Sequence, residues 1–271
     1  MPELPEVETT CRGIAPLLCG RRVTSVDVRE PHLRWPVPPA LARELPGQPV
    51  CGVSRRAKFL LLESPVGHLI LHLGMSGSLR IVPRELSPEK HDHLDVVMDD
   101  GRCLRFRDPR RFGAALWTTD DPLEHPLLKN LGPEPLGDEF TAQWLHDLSQ
   151  RRRVAVKSFL MNSRVVAGVG NIYASEALFL AGIHPGRPAG RISLKRYQRL
   201  VEAVREVLGA AIAAGGTTLR DFVDSNGHPG YFSQRLRVYG RQDEACGKCG
   251  TAVRSRVIGQ RSSYYCQRCQ R

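Results

Sequence analysis

The sequence lacks any long apolar run. No apolar stretch approaches the roughly 18 residues that a membrane-spanning helix needs. A secretory signal is also missing, because residues 1–10 contain three glutamates and no apolar run follows them. No internal repeat or low-complexity tract is present in the 271 residues. We therefore expect a cytoplasmic protein that does not associate with a membrane.

Acidic residues are few relative to basic ones. The chain has 28 Asp and Glu against 39 Lys and Arg, which gives a formal net charge of +11 and a pI of about 9.6. This balance favours a polyanionic partner, although RNA and acidic proteins satisfy it as well as DNA does. The length is sufficient for two domains with their own cores or for one large domain.

The eight cysteines fall into two groups. The last four follow the pattern C-x2-C-x16-C-x2-C, which predicts one structural zinc ion, because two thiolates two residues apart can bind one tetrahedral ion. Two disulfides are the alternative, and the missing secretory signal disfavours them. The four remaining cysteines are scattered, and we expect small buried hydrophobes there. The predicted ligands are Cys246, Cys249, Cys266 and Cys269, and the scattered residues are Cys11, Cys19, Cys51 and Cys103.

The first half of the chain has the pattern of a β-rich domain and the second half that of a helical one. Asp100-Gly101 is a strong hairpin signal between two short apolar runs, and the proline- and glycine-rich segment 131–137 is a candidate linker. Thr141, Asn171 and Ser193 are candidate caps of the helices that follow. The apolar runs read as strands are 68–73, 78–82, 94–98 and 103–107.

The first ten residues, MPELPEVETT, place a proline and a glutamate directly after the initiator. Removal of Met1 would leave Pro2 with a free secondary amine, and an α-amino group titrates near pH ~8, so part of it is nucleophilic at neutral pH. Attack on a sugar C1′ would give an iminium ion, and Glu3 can move protons beside it. Residues 4–8 also have the composition of a helix start. The two interpretations are compatible, because such a helix would hold Pro2 in place.

This start resembles the amino terminus of the bacterial formamidopyrimidine-DNA glycosylases, and the resemblance continues to the end of the chain. It implies an α+β multidomain protein: an N-terminal catalytic β-sandwich domain with flanking helices (1–131), a helix–two-turn–helix DNA-binding domain (132–225), and the end of a lesion loop with a zinc-ribbon finger (226–271). The blocks that carry it are RRAKFL (55–60), HLGMSGSL (72–79), HDHLD (91–95), RDPRRFG (107–113), LGPEPL (131–136), GVGNIYASEA (168–177), GGTTLRDF (215–222), PGYFSQRLRVYG (229–240) and the terminal cysteines.

The resemblance implies a reaction in which Pro2 attacks C1′, the damaged base leaves, and β,δ-elimination then cuts the strand. By the same resemblance, Glu3 assists opening of the sugar, Lys58 takes part in the elimination, and Arg261 contacts the phosphates that flank the lesion. For Lys58 and Arg261 a solvated surface charge remains the alternative. The implied partner is double-stranded DNA with an oxidised purine opposite cytosine, and we expect a monomer located with the bacterial nucleoid.

An enzyme that attacks C1′ must extrude the nucleotide and fill the space it leaves. The resemblance assigns this filling to Met75, Arg110 and Phe112, for which core packing is the alternative. It also implies DNA contacts by His91, Arg152, Lys157 and Asn171, although His91 can be a structural histidine and Asn171 an ordinary helix cap. The polar segment 217–232 suits a loop that closes over the extruded base.

Two other functions remain open. The first is an endonuclease VIII-like enzyme that prefers oxidised pyrimidines, and the LPEVET start with the GMSG and DPRRFG segments favours the purine branch over it. The second is a non-catalytic zinc-ribbon DNA-binding protein. It accounts for the charge and the cysteines but gives no reason for Pro2 and Glu3 behind the initiator.

Overall fold

The structure of the chain is a computed structural model that describes residues 2–216 and 236–271. It divides into two compact units, Met1–Asn130 with Ala214–Tyr231, and Leu131–Ala213 with Phe232–Arg271. The segment 217–232, for which the sequence predicts a closing loop, lies outside the described residues. The predicted boundary between residues 225 and 226 lies outside them as well.

Eight strands of the first unit form two antiparallel sheets of four strands. One sheet has the order β1-β6-β7-β5 and the other the order β2-β3-β4-β8. The hairpin predicted at Asp100-Gly101 joins β6 to β7, and Gly101 has a φ of +82°. The strands are β1 (Val23–Val28), β2 (Gly52–Arg56), β3 (Phe59–Ser64), β4 (Gly67–His72), β5 (Ser78–Pro83), β6 (Asp92–Met98), β7 (Arg102–Arg107) and β8 (Ala114–Thr118).

Both sheets contribute to one apolar core, so the predicted β-sandwich is confirmed. The helix α1 (Leu4–Leu18) packs against β2, and α2 (Pro39–Glu44) packs against β1. The buried face of α1 repeats at helical spacing, and burial of each such side chain contributes about 1.5–3 kcal/mol. The residues of that face in the core are Val7, Cys11, Ile14 and Leu18.

The two predicted strands on either side of Gly74-Met75-Ser76-Gly77 belong to different sheets. The strand β4 pairs with β3 and β8, whereas β5 pairs with β7. This short loop therefore passes from one layer of the sandwich to the other. A turn this tight requires a left-handed residue, and Gly74 has a φ of +62°.

The described part of the second unit contains four α-helices, one short 3-10 helix (Ala189–Arg191) and a two-stranded hairpin. The predicted caps of α3 and α6 are confirmed, because the Thr141 hydroxyl accepts from the Trp144 N–H and the Ser193 carbonyl accepts from the N–H of Tyr197. The third cap was wrong by one residue, since Gly170 is the cap of α5 and Asn171 is its first residue. The elements are α3 (Ala142–Ser149), α4 (Val156–Leu160), α5 (Asn171–Leu180), α6 (Leu194–Ala213), β9 (Arg254–Ile258) and β10 (Arg261–Tyr265).

The scattered cysteines only partly meet the expectation that they are buried. Cys11 and Cys103 are buried, and burial raises the pKa of each thiol to about 11. Cys19 and Cys51 are exposed. Cys19 is the C-cap of α1, and Cys51 directly precedes β2. None of the helices in the described ranges is long and apolar enough to cross a membrane.

Candidate DNA interface and metal centre

The amino-terminal proline and glutamate lie at the very start of α1. Glu3 is its N-cap, and its carboxylate accepts from the backbone N–H of Glu6. In return the backbone N–H of Glu3 donates to Glu6 Oε2 at 2.8 Å. This reciprocal capping box fixes the backbone of the first turn. Pro2 and Glu3 are both buried, so the helix-start interpretation holds and the helix keeps both residues in a defined place.

Lys58 lies in the tight turn between β2 and β3, next to Ala57, whose φ is +54°. The guanidinium of Arg55 attaches this turn to α1. Its Nε donates to Glu8 Oε2 at 2.7 Å, and its Nη1 donates to the carbonyl of Ala57 at 2.8 Å. Burial by itself raises the pKa of Glu8, but the bonds and charges of Arg55 and Arg12 outweigh it and hold that pKa below its usual range.

His72 is a site residue that the sequence analysis missed. It is paired with Phe59 across β3 and β4, and the two ring centroids are 4.7 Å apart. Its Nδ1 accepts from the N–H of Gly74 at 3.0 Å, which leaves Nε2 as the protonated nitrogen. Burial, with the charges of Lys58 and Arg34, lowers the pKa of His72 to about 4. His72 is therefore a neutral Nε2–H donor that lies near enough to Lys58 for the charge of Lys58 to affect its pKa.

The side chains predicted to fill the DNA stack lie on two loops that touch. Phe112 is 44% exposed, which excludes core packing for it, and the Arg110 guanidinium carbon lies 4.9 Å from the centroid of its ring. Met75, on the other loop, is half-buried. A Cβ built on Gly74 would stand 2.4 Å from the carbonyl carbon of Phe112. The backbones of the two loops are thus in direct contact.

His91 precedes β6 and is half-buried, with a φ of +79°. Its ring centroid lies 6.1 Å from that of His93 in an edge-on arrangement. Its carbonyl accepts from the N–H of Asp108 at 3.0 Å, so the segment before β6 is tied to the end of β7. The predicted contact of His91 with DNA stays a prediction.

In the second unit, Asn171 opens α5, where the backbone N–H groups and the helix dipole favour an anion. Its Nδ2 lies 3.4 Å from the hydroxyl of Tyr239. Its Oδ1 is buried and has no hydrogen-bond partner among residues 2–216 and 236–271. The Asn171 amide and the Tyr239 hydroxyl therefore form a pair of polar groups at a helix N-terminus. Tyr239 belongs to the block 229–240, but nothing in its spacing from Asn171 indicates this pairing.

Glu176 was also missed, although it lies in the block that contains Asn171. Its carboxylate accepts three backbone N–H groups, from Arg237 at 2.8 Å, Val238 at 2.9 Å and Tyr239 at 2.8 Å. The residue is 2% exposed. It therefore fixes the segment that brings Tyr239 to the start of α5.

Lys157 contacts the zinc-ribbon hairpin at the two residues that follow Arg261. Lys157 is 1% exposed, and its ammonium donates to the Ser262 carbonyl and to Ser263 Oγ, both at 2.8 Å. Arg261 is exposed and begins β10 directly after the turn at Gly259 and Gln260. This burial does not favour the DNA contact predicted for Lys157. Arg152, by contrast, is exposed, with its guanidinium carbon 5.6 Å from the ring centroid of Phe159.

The four predicted zinc ligands converge. All their Sγ atoms lie within 4.8 Å of one another, with Cys246 and Cys269 4.0 Å apart and Cys249 and Cys266 3.5 Å apart. Four sulfurs at about 2.3 Å from a tetrahedral ion lie about 3.8 Å apart, so the donor set fits zinc. The predicted structural zinc ion is confirmed.

Comparison with known proteins identifies the class. Residues 1–115 match the model of the formamidopyrimidine-DNA glycosylase N-terminal domain, residues 131–223 that of its H2TH domain, and residues 243–271 that of a zinc finger found in FPG and IleRS. The formamidopyrimidine-DNA glycosylase of Thioalkalivibrio sulfidiphilus is 62% identical over 271 residues, with both chains covered completely. The chain is a DNA glycosylase with a zinc finger.

Solved structures agree in fold along the entire chain. Wild-type Lactococcus lactis Fpg (MutM), in complex with DNA that contains N7-benzyl-Fapy-dG, has a TM-score of 0.92 at 33% identity, and both chains are fully covered. A MutM structure with carbocyclic 8-oxo-G containing DNA has a TM-score of 0.91, also at 33% identity and full coverage. The chain belongs to the formamidopyrimidine-DNA glycosylase family, whose members are bifunctional glycosylases and AP lyases of base-excision repair.

We expect His72 to remain neutral well below the pH at which an exposed histidine gains its proton. Because the Lys58 charge helps to lower its pKa, Lys58→Met should move the pKa of His72 upward from about 4. NMR titration of the ring nitrogens measures the pKa of His72 in the unmodified enzyme and in the Lys58→Met variant. Protonation of His72 between pH 6 and 7 in the unmodified enzyme would contradict the prediction.

We expect Cys249→Ser to lose zinc and to weaken DNA binding while the first unit stays folded, because the ligand set lies wholly in the second unit. Zinc content by mass spectrometry, DNA affinity at one fixed salt concentration and thermal unfolding measure the three effects. Cys51→Ser, at an exposed cysteine outside the cluster, is the control. Retained zinc, or unfolding of the whole chain, would contradict the expectation.

Proposed function

We propose that this glycosylase excises 8-oxoguanine and formamidopyrimidines opposite cytosine, with Pro2 as its nucleophile once Met1 is removed. The observation that carries the proposal is the start of α1. Pro2 directly precedes a helix whose first turn is locked by the Glu3–Glu6 capping box, and the Arg55–Glu8 pair attaches the Lys58 turn to the same helix.

The chemistry requires an amine and a group that moves protons. The Pro2 nitrogen forms a bond to C1′ as the bond from C1′ to the base breaks, and the base leaves with a proton. Glu3 assists opening of the sugar ring, which gives an iminium ion at C1′. Loss of a proton from C2′ then expels the 3′ phosphate, and a second elimination expels the 5′ phosphate. Lys58 and Arg261 take part in these eliminations.

The exposed Arg110 and Phe112 and the half-buried Met75, on the two touching loops, supply the contacts with the opened duplex. Met75 and Phe112 occupy the space left by the extruded nucleotide, at a cost of a few kcal/mol for unstacking that wrapping contacts offset. Arg110 donates to the cytosine that has lost its partner. Its position over the Phe112 ring supports a joint insertion of the two side chains.

In the second unit we propose that Asn171 donates to the phosphate of the lesion nucleotide, with Tyr239 beside it. Arg152 and, in the first unit, His91 contact the DNA backbone. We further propose three functional modules, 1–131, 132–225 and 226–271, in a monomer located in the cytoplasm with the nucleoid. An endonuclease VIII-like preference is the second candidate, but the family match of residues 1–115 favours the purine branch.

For Lys157 we propose an indirect role. Its ammonium is bound to the two residues that follow Arg261, so it holds β10 rather than DNA. The turn of the hairpin also packs closely on α4, since a Cβ at Gly259 would stand 2.5 Å from Ser158 Oγ. Lys157 thereby fixes the direction in which Arg261 leaves the hairpin.

The proposed nucleophile is tested by borohydride trapping on a duplex with one 8-oxoguanine opposite cytosine. We expect a covalent protein–DNA band from the processed enzyme and none from a variant with residues fused in front of Pro2, because the fusion converts the amine into an amide. Pro5→Ala, in the first turn of α1, is the matched control and should still be trapped. A band from the fused variant would refute Pro2 as the nucleophile. Excision of thymine glycol faster than that of 8-oxoguanine would favour the endonuclease VIII-like preference.

The role of Lys157 is tested by Lys157→Met and Ser263→Ala. If Lys157 acts through β10, both should lower kcat/KM in the same direction, by roughly tenfold for Lys157→Met, since buried partners are left unpaired. Both should retain zinc, and Lys157→Met should add little in an Arg261→Gln background. A different result would show that Lys157 contacts DNA directly: Ser263→Ala leaves kcat/KM unchanged, while Lys157→Met lowers kcat/KM in the Arg261→Gln background as well.

A further inference from the structure

The proposed DNA contacts of the first unit come from three separate segments of chain. Met75 lies between β4 and β5, His91 lies just before β6, and Arg110 and Phe112 lie between β7 and β8. All three segments are hydrogen-bonded to Asp108. This residue is 0% exposed, so it cannot contact DNA itself.

The carboxylate of Asp108 joins the two loops that carry the proposed stack-filling side chains. Its Oδ1 accepts from Ser76 Oγ, the residue after Met75, at 2.7 Å. The same oxygen accepts from the N–H of Arg110 at 3.3 Å. Its Oδ2 accepts from the N–H of Gly113, the residue after Phe112, at 2.7 Å. Each of the two oxygens therefore holds a position adjacent to a different stack-filling residue.

The backbone of Asp108 holds the third segment. Its N–H donates to the carbonyl of His91 at 3.0 Å, and its carbonyl lies 2.8 Å from Nε2 of His93, which donates to it. The carbonyl also accepts from the N–H of Arg111 at 3.2 Å. Side chain and backbone of one residue thus form hydrogen bonds at, or directly beside, all four proposed contacts.

Asp108 makes no ion pair within the described ranges. Its charge is supported by hydroxyl and backbone N–H donors alone, although burying a carboxylate is costly unless its bonds are well made. The Arg110 guanidinium lies over the Phe112 ring instead of on this carboxylate. Because a backbone N–H group points in a fixed direction, each bond to the carboxylate restricts the backbone of the loop that donates it. The carboxylate of Asp108 therefore defines the conformation of the loops.

The packing around Asp108 leaves no room for the loops to move independently. A Cβ at Gly113 would stand 2.6 Å from the carbonyl oxygen of His72 and 2.6 Å from the ring of Phe106. On the other loop, a Cβ at Gly74 would stand 2.5 Å from the nitrogen of Gly113. Displacement of either loop therefore displaces the other.

We propose that Asp108 is a positioning residue that holds Met75, Arg110, Phe112 and His91 in one rigid arrangement, so that the first three enter the duplex together when a nucleotide is extruded while His91 contacts the DNA backbone. The inference rests on the proposed function, which makes these residues the DNA contacts. Side chains ordered before binding lose less conformational freedom on insertion than side chains that DNA must order. The carboxylate thereby lowers the barrier to opening the stack without touching DNA.

The test uses Asp108→Asn in the full-length enzyme. The amide keeps the shape but turns an N–H₂ group toward one of the donors on Ser76, Arg110 or Gly113, so one link is lost. We expect kcat for 8-oxoguanine excision from a duplex to fall roughly 10- to 100-fold, the cost of misplaced groups. The fluorescence change of 2-aminopurine next to the lesion should slow to the same extent. Cleavage of a preformed abasic site in single-stranded DNA, which needs no stack to be opened, should keep its rate.

Two further variants keep the inference testable if Asp108→Asn folds poorly. Ser76→Ala cuts one link and should show the same substrate-selective loss at smaller size. Asp120→Asn, at an exposed carboxylate beyond β8, should change nothing. In a Met75→Ala/Phe112→Ala background, Asp108→Asn should add little, because residues that act as a unit are not additive.

The outcomes are separable. Equal losses on the duplex and on the single-stranded abasic site would show a general structural role for Asp108 and overturn the inference. Wild-type rates on both substrates would overturn it as well. If Met75→Ala and Phe112→Ala leave the rate of duplex excision unchanged, the result refutes the proposed DNA contacts rather than the positioning role of Asp108. An unmodified enzyme that does not excise 8-oxoguanine would refute the proposed function itself.

Discussion

Buried carboxylates that accept backbone N–H groups hold the segments on which the rest of the site depends. Glu6 binds the N–H of Glu3 behind Pro2, Asp108 binds that of Gly113 beside Phe112, and Glu176 binds that of Tyr239 beside Asn171. A carboxylate with no bonds could not stay buried. Each of these residues is therefore stable only in the loop conformation that provides the donors, and the same conformation presents a functional side chain.

This arrangement separates two uses of charge. The acids at these three points are internal and satisfied by the chain itself, whereas Arg110, Arg152 and Arg261 are exposed. The net charge of +11 favours binding to phosphates, whose contacts dominate the affinity of a protein for nucleic acid and make that affinity depend on salt. Lys157, by contrast, is a buried cation whose acceptors lie on β10. The zinc ion holds the base of the ribbon through its cysteines, and Lys157 holds the strand near its turn.

Local rules predicted the local features. The Asp100-Gly101 hairpin, the cap at Thr141 and the zinc ligands follow from neighbours within a few residues or from one spacing, and the structure contains them. His72, Asp108 and Glu176 could not be found that way. Glu176 meets its donors 61 to 63 positions along the chain, and Ser76 meets Asp108 across 32. Such pairings depend on which strands and helices become neighbours, and composition or periodicity does not encode that.

The strands that carry Asp108 and His91 owe their alignment to a second group of charges. Arg105, 2% exposed, donates from Nε and Nη2 to Asp95 at 2.9 and 2.8 Å, and the two residues are direct partners across β6 and β7. Buried ion pairs often add little net stability, but they penalise any arrangement that leaves one charge alone. A slip of one residue between these strands would separate the pair and move every side chain to the other face. It would also shift the end of β7 against the start of β6, where Asp108 binds the carbonyl of His91. The ion pair thus specifies the register, and the register places Asp108.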